Sequence, residues 1–114
     1  MSGDEFMEEF EEQIRHGRLN IKVRVELSAP RPGVVSLDLL EVRNQADRGN
    51  GLATSTLRLL LKLADETRMV LEVTPSNLGR YLGNEALALW YVRHGFVAAP
   101  SMDHPRLMRR AAHS

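Results

Sequence analysis

Apolar and polar positions change rhythm several times along the chain, and each rhythm suits one kind of element. From residue 4 to 16, Phe6, Phe10 and Ile14 recur every four residues with Met7 on the same side, which predicts an amphipathic helix. Ser2 or Asp4 suits its cap, the early acids suit the positive end of the helix dipole, and Gly17 is a natural stop. Residues 19–28 alternate: Leu19, Ile21, Val23, Val25 and Leu27 point one way, and Asn20, Lys22, Arg24 and Glu26 the other. That predicts a half-buried strand with one wet face. Pro30, Pro32 and Gly33 then force a turn. A second strand is expected over 34–42, antiparallel to the first. Its apolar positions are more numerous (Val34, Val35, Leu37, Leu39, Leu40, Val42), which predicts a central place in the sheet.

A polar stretch over 43–50 reads as a loop, and helical periodicity resumes with Leu52, Thr56, Leu59, Leu60 and Leu63. Residues 69–73 form a short apolar strand, and 74–83, with Pro75, Gly79 and Gly83, are irregular. A helix is expected over 86–94 with Gly95 as its C-cap, followed by a terminal hairpin over 96–110. The order is α-β-β-α-β-α-β-β, an α/β layer arrangement in which helices cover a mixed sheet.

Composition narrows the class. With 114 residues there is chain for one compact domain, and 43% hydrophobic with 26% charged residues is ordinary globular usage. The absence of cysteine excludes a disulfide scaffold, a thiol nucleophile and a Cys-ligated zinc site, and suits a reducing, cytoplasmic compartment. No apolar run is long enough to span a membrane, and Ser2, Gly3, Asp4 and Glu5 do not read as a signal peptide. Lys+Arg and Asp+Glu are equal at 15 each, which disfavours a phosphate-backbone binder, so no nucleic-acid partner is expected. The acids gather at the start (Asp4 to Glu12) and several arginines at the end (Arg93, Arg106, Arg109, Arg110). His16, His94, His104 and His113 are too scattered for a metal site, and none is expected.

The informative segment joins the second strand to the following helix. In Arg48-Gly49-Asn50-Gly51-Leu52-Ala53-Thr54 two glycines allow a tight turn and close approach to a ligand. The first N–H groups of the helix have no intrahelical partner and sit at its positive end, so a phosphate or pyrophosphate fits there. The glycines serve a purely steric turn equally well. The loop is neither a Walker A sequence nor a dinucleotide fingerprint.

These residues resemble a known superfamily. Arg48-x-x-Gly51-x-Ala53 is similar to the Gln/Arg-x-x-Gly-x-Gly/Ala acyl-CoA pyrophosphate loop of the GNAT superfamily of N-acyltransferases. Leu71-Glu72-Val73-Thr74-Pro75-Ser76-Asn77 resembles its fifth strand and next loop. Asn84, Tyr91, Gly95 and Phe96 resemble its Asn-x6-Tyr-x3-Gly-Phe pattern, and Met108-Arg109-Arg110 its last strand. The likeness covers residues 19–110 and leaves 1–17 as an N-terminal helix. It implies a mixed, mostly antiparallel sheet with helices on both faces. Three departures stand out: a shortened N-terminal part, an insert-like stretch over 77–83, and a loop after Val42 about one residue longer than the pattern.

By that resemblance, Leu40 and Val42 offer backbone groups to the pantetheine arm. Arg48, Gly49, Asn50, Gly51, Leu52, Ala53 and Thr54 hold the pyrophosphate, and Asn84 (or Asn77) bonds the arm or caps its helix. Tyr91 matches the family's general acid, and Glu72 lies in the strand that supplies its base; the bland alternatives are a core-edge aromatic and a solvated strand carboxylate. Asp38 and Glu41 are rival bases, and three residues apart they are expected on opposite faces of a strand. The implied activity is transfer of an acetyl group from acetyl-CoA to a primary amine, by direct attack because no cysteine is present. The shortened N-terminal part suggests completion of the acceptor wall in a homodimer, and the acidic first helix suggests a cationic acceptor. The rival readings are a non-catalytic domain that senses CoA or binds a protein, and a protein-binding domain with no CoA site.

Overall fold

The computed structural model describes residues 1–47, 49–75 and 84–113. Helix α1 spans Gly3–His16 and is followed by a single helical turn, α2 (Leu19–Lys22). Strands β1 (Val23–Arg31) and β2 (Val34–Val42) form a hairpin. A 3-10 turn at Gln45–Asp47 leads to α3 (Leu52–Thr67) and then β3 (Val70–Val73). Helix α4 (Asn84–Arg93) precedes the short strands β4 (Val97–Ala98) and β5 (Met108–Arg110).

The five strands form one mixed sheet in the order β1-β2-β3-β5-β4. Only β2 and β3 run parallel, joined through α3, and the other pairings are antiparallel. β2 is therefore internal, as its apolar run requires.

Each helix end has a local cause. Ser2 caps α1 in a capping box: its hydroxyl accepts from the Glu5 N–H at 3.1 Å, and the Glu5 carboxylate accepts from the Ser2 N–H at 3.2 Å. Phe6, Phe10 and Ile14 bury the apolar stripe of α1 against Leu57, Leu60 and the sheet. The strand expected from residue 19 begins only at Val23. Arg18 takes a left-handed conformation with φ 61°, and the chain makes one more helical turn, which leaves Ile21 exposed. The alternation of Leu19 and Ile21 with polar neighbours is too short to separate a strand from a turn. Further on, Pro30 lies inside β1 instead of ending it. The pairs Ser28↔Ser36 and Arg31↔Val34 leave one extra residue on β1, an irregularity that accommodates the missing N–H. The reversal itself is Pro32-Gly33, where Gly33 has φ 76°.

The described helices lie on one face of the sheet, not on both. α1 and α3 touch each other and both touch β1. The Arg110 side chain reaches Asp65 on α3 and the His94 carbonyl at the end of α4, so α4 ends on that same face. The opposite face carries Arg24, Glu26, Ser28, Ser36, Glu72 and Arg109 in register, with Val34, Leu39, Val70 and Val97 among them, and none of the described helices covers it.

Candidate functional site

β2 contains a bulge. Glu26 pairs with Leu39 while Leu27 pairs with Leu37, so Asp38 is an extra residue. The bulge shifts the side-chain phase. Val35 and Leu37 face the core before it, and Leu40 packs against the core after it, with Val42 paired to buried Val23. Asp38 and Glu41 consequently share the polar face, not opposite faces as unbroken alternation implies. The Ser36 hydroxyl donates to Asp38 Oδ1 at 2.8 Å on that face.

Next to the bulge the parallel strands part company. The β2–β3 ladder ends at Leu37↔Val73, and β2 continues to Val42 paired with β1 alone among the described residues. Pro75, two residues past Val73, lacks the N–H that would extend the ladder. The Leu39–Val42 stretch thus has no ladder partner on its β3 side among the described residues, and it borders the gap where a parallel pair parts at its carboxyl ends, the usual place for a ligand in an α/β layer.

The loop at the same end is held in place from both sides. The Arg43 N–H donates to the Lys22 carbonyl at 2.8 Å, Lys22 lies 3.7 Å from Asp47, and the Ala46 N–H donates to Asn44 Oδ1 at 3.0 Å. Gly49 and Gly51 both take positive φ, 85° and 76°, and both are exposed. Gly51 is the N-cap of α3 in a left-handed conformation, and no side chain caps this helix. The N–H groups of Leu52, Ala53 and Thr54 precede the first intrahelical donor, Ser55, whose N–H reaches the Gly51 carbonyl at 2.9 Å. Asn50 is exposed beside them. Arg48 and Asn77 lie outside the described residues, and Asn84 is described only as the backbone that begins α4.

Tyr91 is fully buried on α4, with Trp90 and Phe96 rings 5.0 and 5.2 Å away in edge-on contact. Its hydroxyl has no hydrogen-bond partner among the described residues. Burial pushes its pKa well above that of a free phenol, so it stays protonated and can only donate or accept as O–H. Trp90 accepts at its carbonyl from His94 Nδ1, 2.8 Å away, which fixes that ring at the helix end.

Glu72 is 4% exposed and sits on the polar face, whereas Tyr91 belongs to the core on the other side. The two expected catalytic groups are therefore not brought together. Glu72 Oε1 accepts from Arg31 Nη2 and from Arg109 Nη2 at 2.8 Å and Nε at 3.2 Å. One carboxylate oxygen thus takes three bonds from two guanidinium groups, which makes Glu72 a clamp before it is a base. Asp38 is half-buried and lacks such a clamp among the described residues. Sequence reasoning missed both arginines as partners of Glu72.

An opening of about 460 Å³ lies between α4 and the terminal hairpin, lined by Pro75, Ala88, Val92, Leu107 and Met108 among others; it holds none of the residues expected to bind the cofactor or to carry catalysis. No group of three or more His, Cys, Asp or Glu among the described residues is placed to hold a metal ion. No helix among them is long and apolar enough to cross a membrane.

Comparison with known proteins adds no relative: no family model, curated protein or solved structure matches this chain.

Proposed function

We propose that the protein is an N-acyltransferase that moves an acetyl group from acetyl-CoA to a primary amine within a ternary complex. The observation that carries this reading is the parting of β2 and β3 after Leu37 and Val73, beside the Asp38 bulge and at the same end of the sheet as the Gly49–Gly51 turn. An extended pantetheine arm needs strand-edge backbone groups, and a pyrophosphate needs a cluster of free N–H donors at a helix start; the two lie at one end of β2 here.

In the reaction the neutral amine attacks the thioester carbonyl. A C–N bond forms, the C–S bond breaks, the thiolate takes a proton, and the nitrogen loses one to a carboxylate directly or through one water. Tyr91, kept protonated by burial, suits the donor role once the opening reaches its hydroxyl. Asp38 lies on the same face as Glu72, so it too meets Tyr91 only through the gap between β2 and β3; it suits the acceptor role better than Glu72 because no arginine is bonded to it among the described residues. Proximity supplies the remainder of the rate.

A second reading has one observation in its favour. Glu72 and Tyr91 lie on opposite sides of the sheet, as in a domain that keeps a CoA site but has lost turnover. Thermal unfolding with acetyl-CoA, desulfo-CoA and 3′-phosphoadenosine compounds tests the shared part. A ligand that binds only the native state stabilises it by about 2.7 kcal/mol at a hundred times its dissociation constant. Gly51→Glu should abolish the shift, and Gly51→Asn, which tolerates the left-handed backbone, should retain it. No shift with any of these ligands makes the loop a structural turn. A shift without acyl transfer to a broad amine panel leaves the non-catalytic reading.

A further inference from the structure

The face of the sheet that no described helix covers has an uneven charge layout. Ser28, Ser36, Glu72 and Arg109 form one row across β1, β2, β3 and β5. Arg31 reaches into this row from the end of β1 to meet Glu72 Oε1, the same oxygen that Arg109 uses. Two positive groups thus share one negative oxygen. Both arginines are also reachable from solvent: their side chains are 51% and 47% exposed, against 5% for the Glu72 carboxylate beneath them. A guanidinium is a planar fork with more N–H donors than a single shared oxygen occupies, and its geometry matches a carboxylate. Nearby Arg24 does not add to the patch, because it is paired with Glu26 at 2.6 Å.

Negative charge lies further along β2 on the same face. Asp38, the bulged residue, follows Ser36 by two, accepts from the Ser36 hydroxyl at 2.8 Å and borders the place where β2 and β3 part. The face therefore carries two exposed cations over Glu72 and an anion, Asp38, beside them. The acids of α1 are on the other side of the sheet, where Phe6, Phe10 and Ile14 pack against α3.

We infer that Arg31 and Arg109 form a binding site for the carboxylate of a small ligand on the open face, with the ligand's amine lying toward Asp38. Glu72 acts as a positioning residue that holds the two forks side by side. The chemical class is an amine that also bears a carboxylate, separated by a few bonds, and not a polyamine. That this ligand is the acyl acceptor rests on the transferase reading; the carboxylate site itself does not.

The test is a titration of the full chain, at fixed ionic strength, with γ-aminobutyrate, butyrate, n-butylamine and inorganic phosphate, followed by NMR of backbone amides and arginine Nε–H groups. γ-Aminobutyrate should bind most tightly, butyrate next, and both should move the Arg31 and Arg109 Nε–H signals. Arg31→Gln and Arg109→Gln should each weaken γ-aminobutyrate at least tenfold, and Arg31→Lys should recover only part of the loss. Arg31 lies half-exposed on an edge strand, so Arg31→Gln carries the test if Arg109→Gln fails to fold. Equal binding of n-butylamine, binding unchanged in Arg31→Gln, or preference for phosphate over both carboxylates each overturns the inference. Acetyl-CoA added to the same samples reports on the transferase separately. An acetyl-CoA response without carboxylate binding sinks this inference alone. Carboxylate binding without an acetyl-CoA response upholds the site and sinks only the transferase reading.

Discussion

Arg110 grips Asp65 with both terminal nitrogens, at 2.7 and 3.1 Å, and so ties the last strand to α3 across 45 residues of chain. The same guanidinium donates through Nε to the His94 carbonyl at 3.0 Å, and the His113 N–H donates to Asp65 Oδ1 at 2.8 Å. One buried arginine thereby joins α3, α4, β5 and the residues after β5. Asp65→Ala removes the only carboxylate that faces this buried cation among the described residues. Breaking such a pair from one side costs about 3–5 kcal/mol when fully buried. Asp65 is 28% exposed, so a loss of about 2–3 kcal/mol in urea unfolding is expected.

The same pair sets an acid limit. The Arg110 hydrogen bond, first among its causes, holds the Asp65 carboxyl below the ordinary aspartate value. A depressed folded-state pKa means that the unfolded chain binds the proton more readily. The associated stability is present above the unfolded value near 4 and is lost as pH falls through the folded value. The unfolding midpoint should therefore drop more steeply below pH 4 in the parent than in Asp65→Asn.

Gly95 closes α4 with φ 93°, and a Cβ there would lie 2.9 Å from His113 Cε1 and 3.2 Å from Arg110 Nε. Gly33 has a positive φ of 76° but nothing within 4 Å. Both alanine substitutions carry backbone strain of about 1–2 kcal/mol. Gly95→Ala should be the worse of the two in denaturant unfolding, because the His113 ring must also move.

Much of this fold is legible in the sequence, and two of its failures share one cause. β2 is readable as Val34–Val42 because a Pro-Gly turn precedes it and apolar positions mark it as internal. α3 follows from its periodicity and α4 from its apolar residues and the Gly95 stop, whereas the end of α3 at Arg68, in a left-handed conformation, leaves no glycine to read. The start of α1 was readable only as far as Ser2 or Asp4, and the structure places the cap at Ser2 in a box with Glu5. The Asp38 bulge was not readable, because one extra residue in a strand leaves no mark until its partner is known. The Glu72 clamp was hidden for the same reason: Arg31 and Arg109 lie 41 and 37 residues away in sequence. The one-faced placement of helices was half visible, since the wet face of β1 already showed one exposed side.

Tyr91→Phe separates packing from chemistry. The hydroxyl is buried without a partner among the described residues, so its removal relieves a desolvation penalty of about 1–3 kcal/mol. The variant should unfold at an equal or higher temperature than the parent. If the hydroxyl protonates the departing thiolate, turnover at saturating acetyl-CoA should fall about 10²-fold or more while stability rises. Unchanged turnover with a rise in stability makes Tyr91 a core aromatic only.

Glu72→Gln and Asp38→Asn should fail in opposite ways. Glu72→Gln keeps the shape and one accepting oxygen but withdraws the charge that faces two guanidinium groups. The arginines then repel each other across β1 and β5, softened because each is half-exposed. A loss of about 1–3 kcal/mol is expected, less than the fully buried case. Because Glu72 is a clamp in this reading, the effect on catalysis should appear in the acceptor KM, with kcat nearly unchanged. Asp38 carries no such load: its described bond is to the Ser36 hydroxyl, which an asparagine can still satisfy. Asp38→Asn should therefore leave unfolding within about 0.5 kcal/mol of the parent. If Asp38 takes the proton from the attacking amine, kcat should fall about 10²–10⁴-fold, with acetyl-CoA binding intact. The reverse pattern, kcat lost in Glu72→Gln and retained in Asp38→Asn, would return the base to β3. It would require the two arginines to release Glu72 when the acceptor binds.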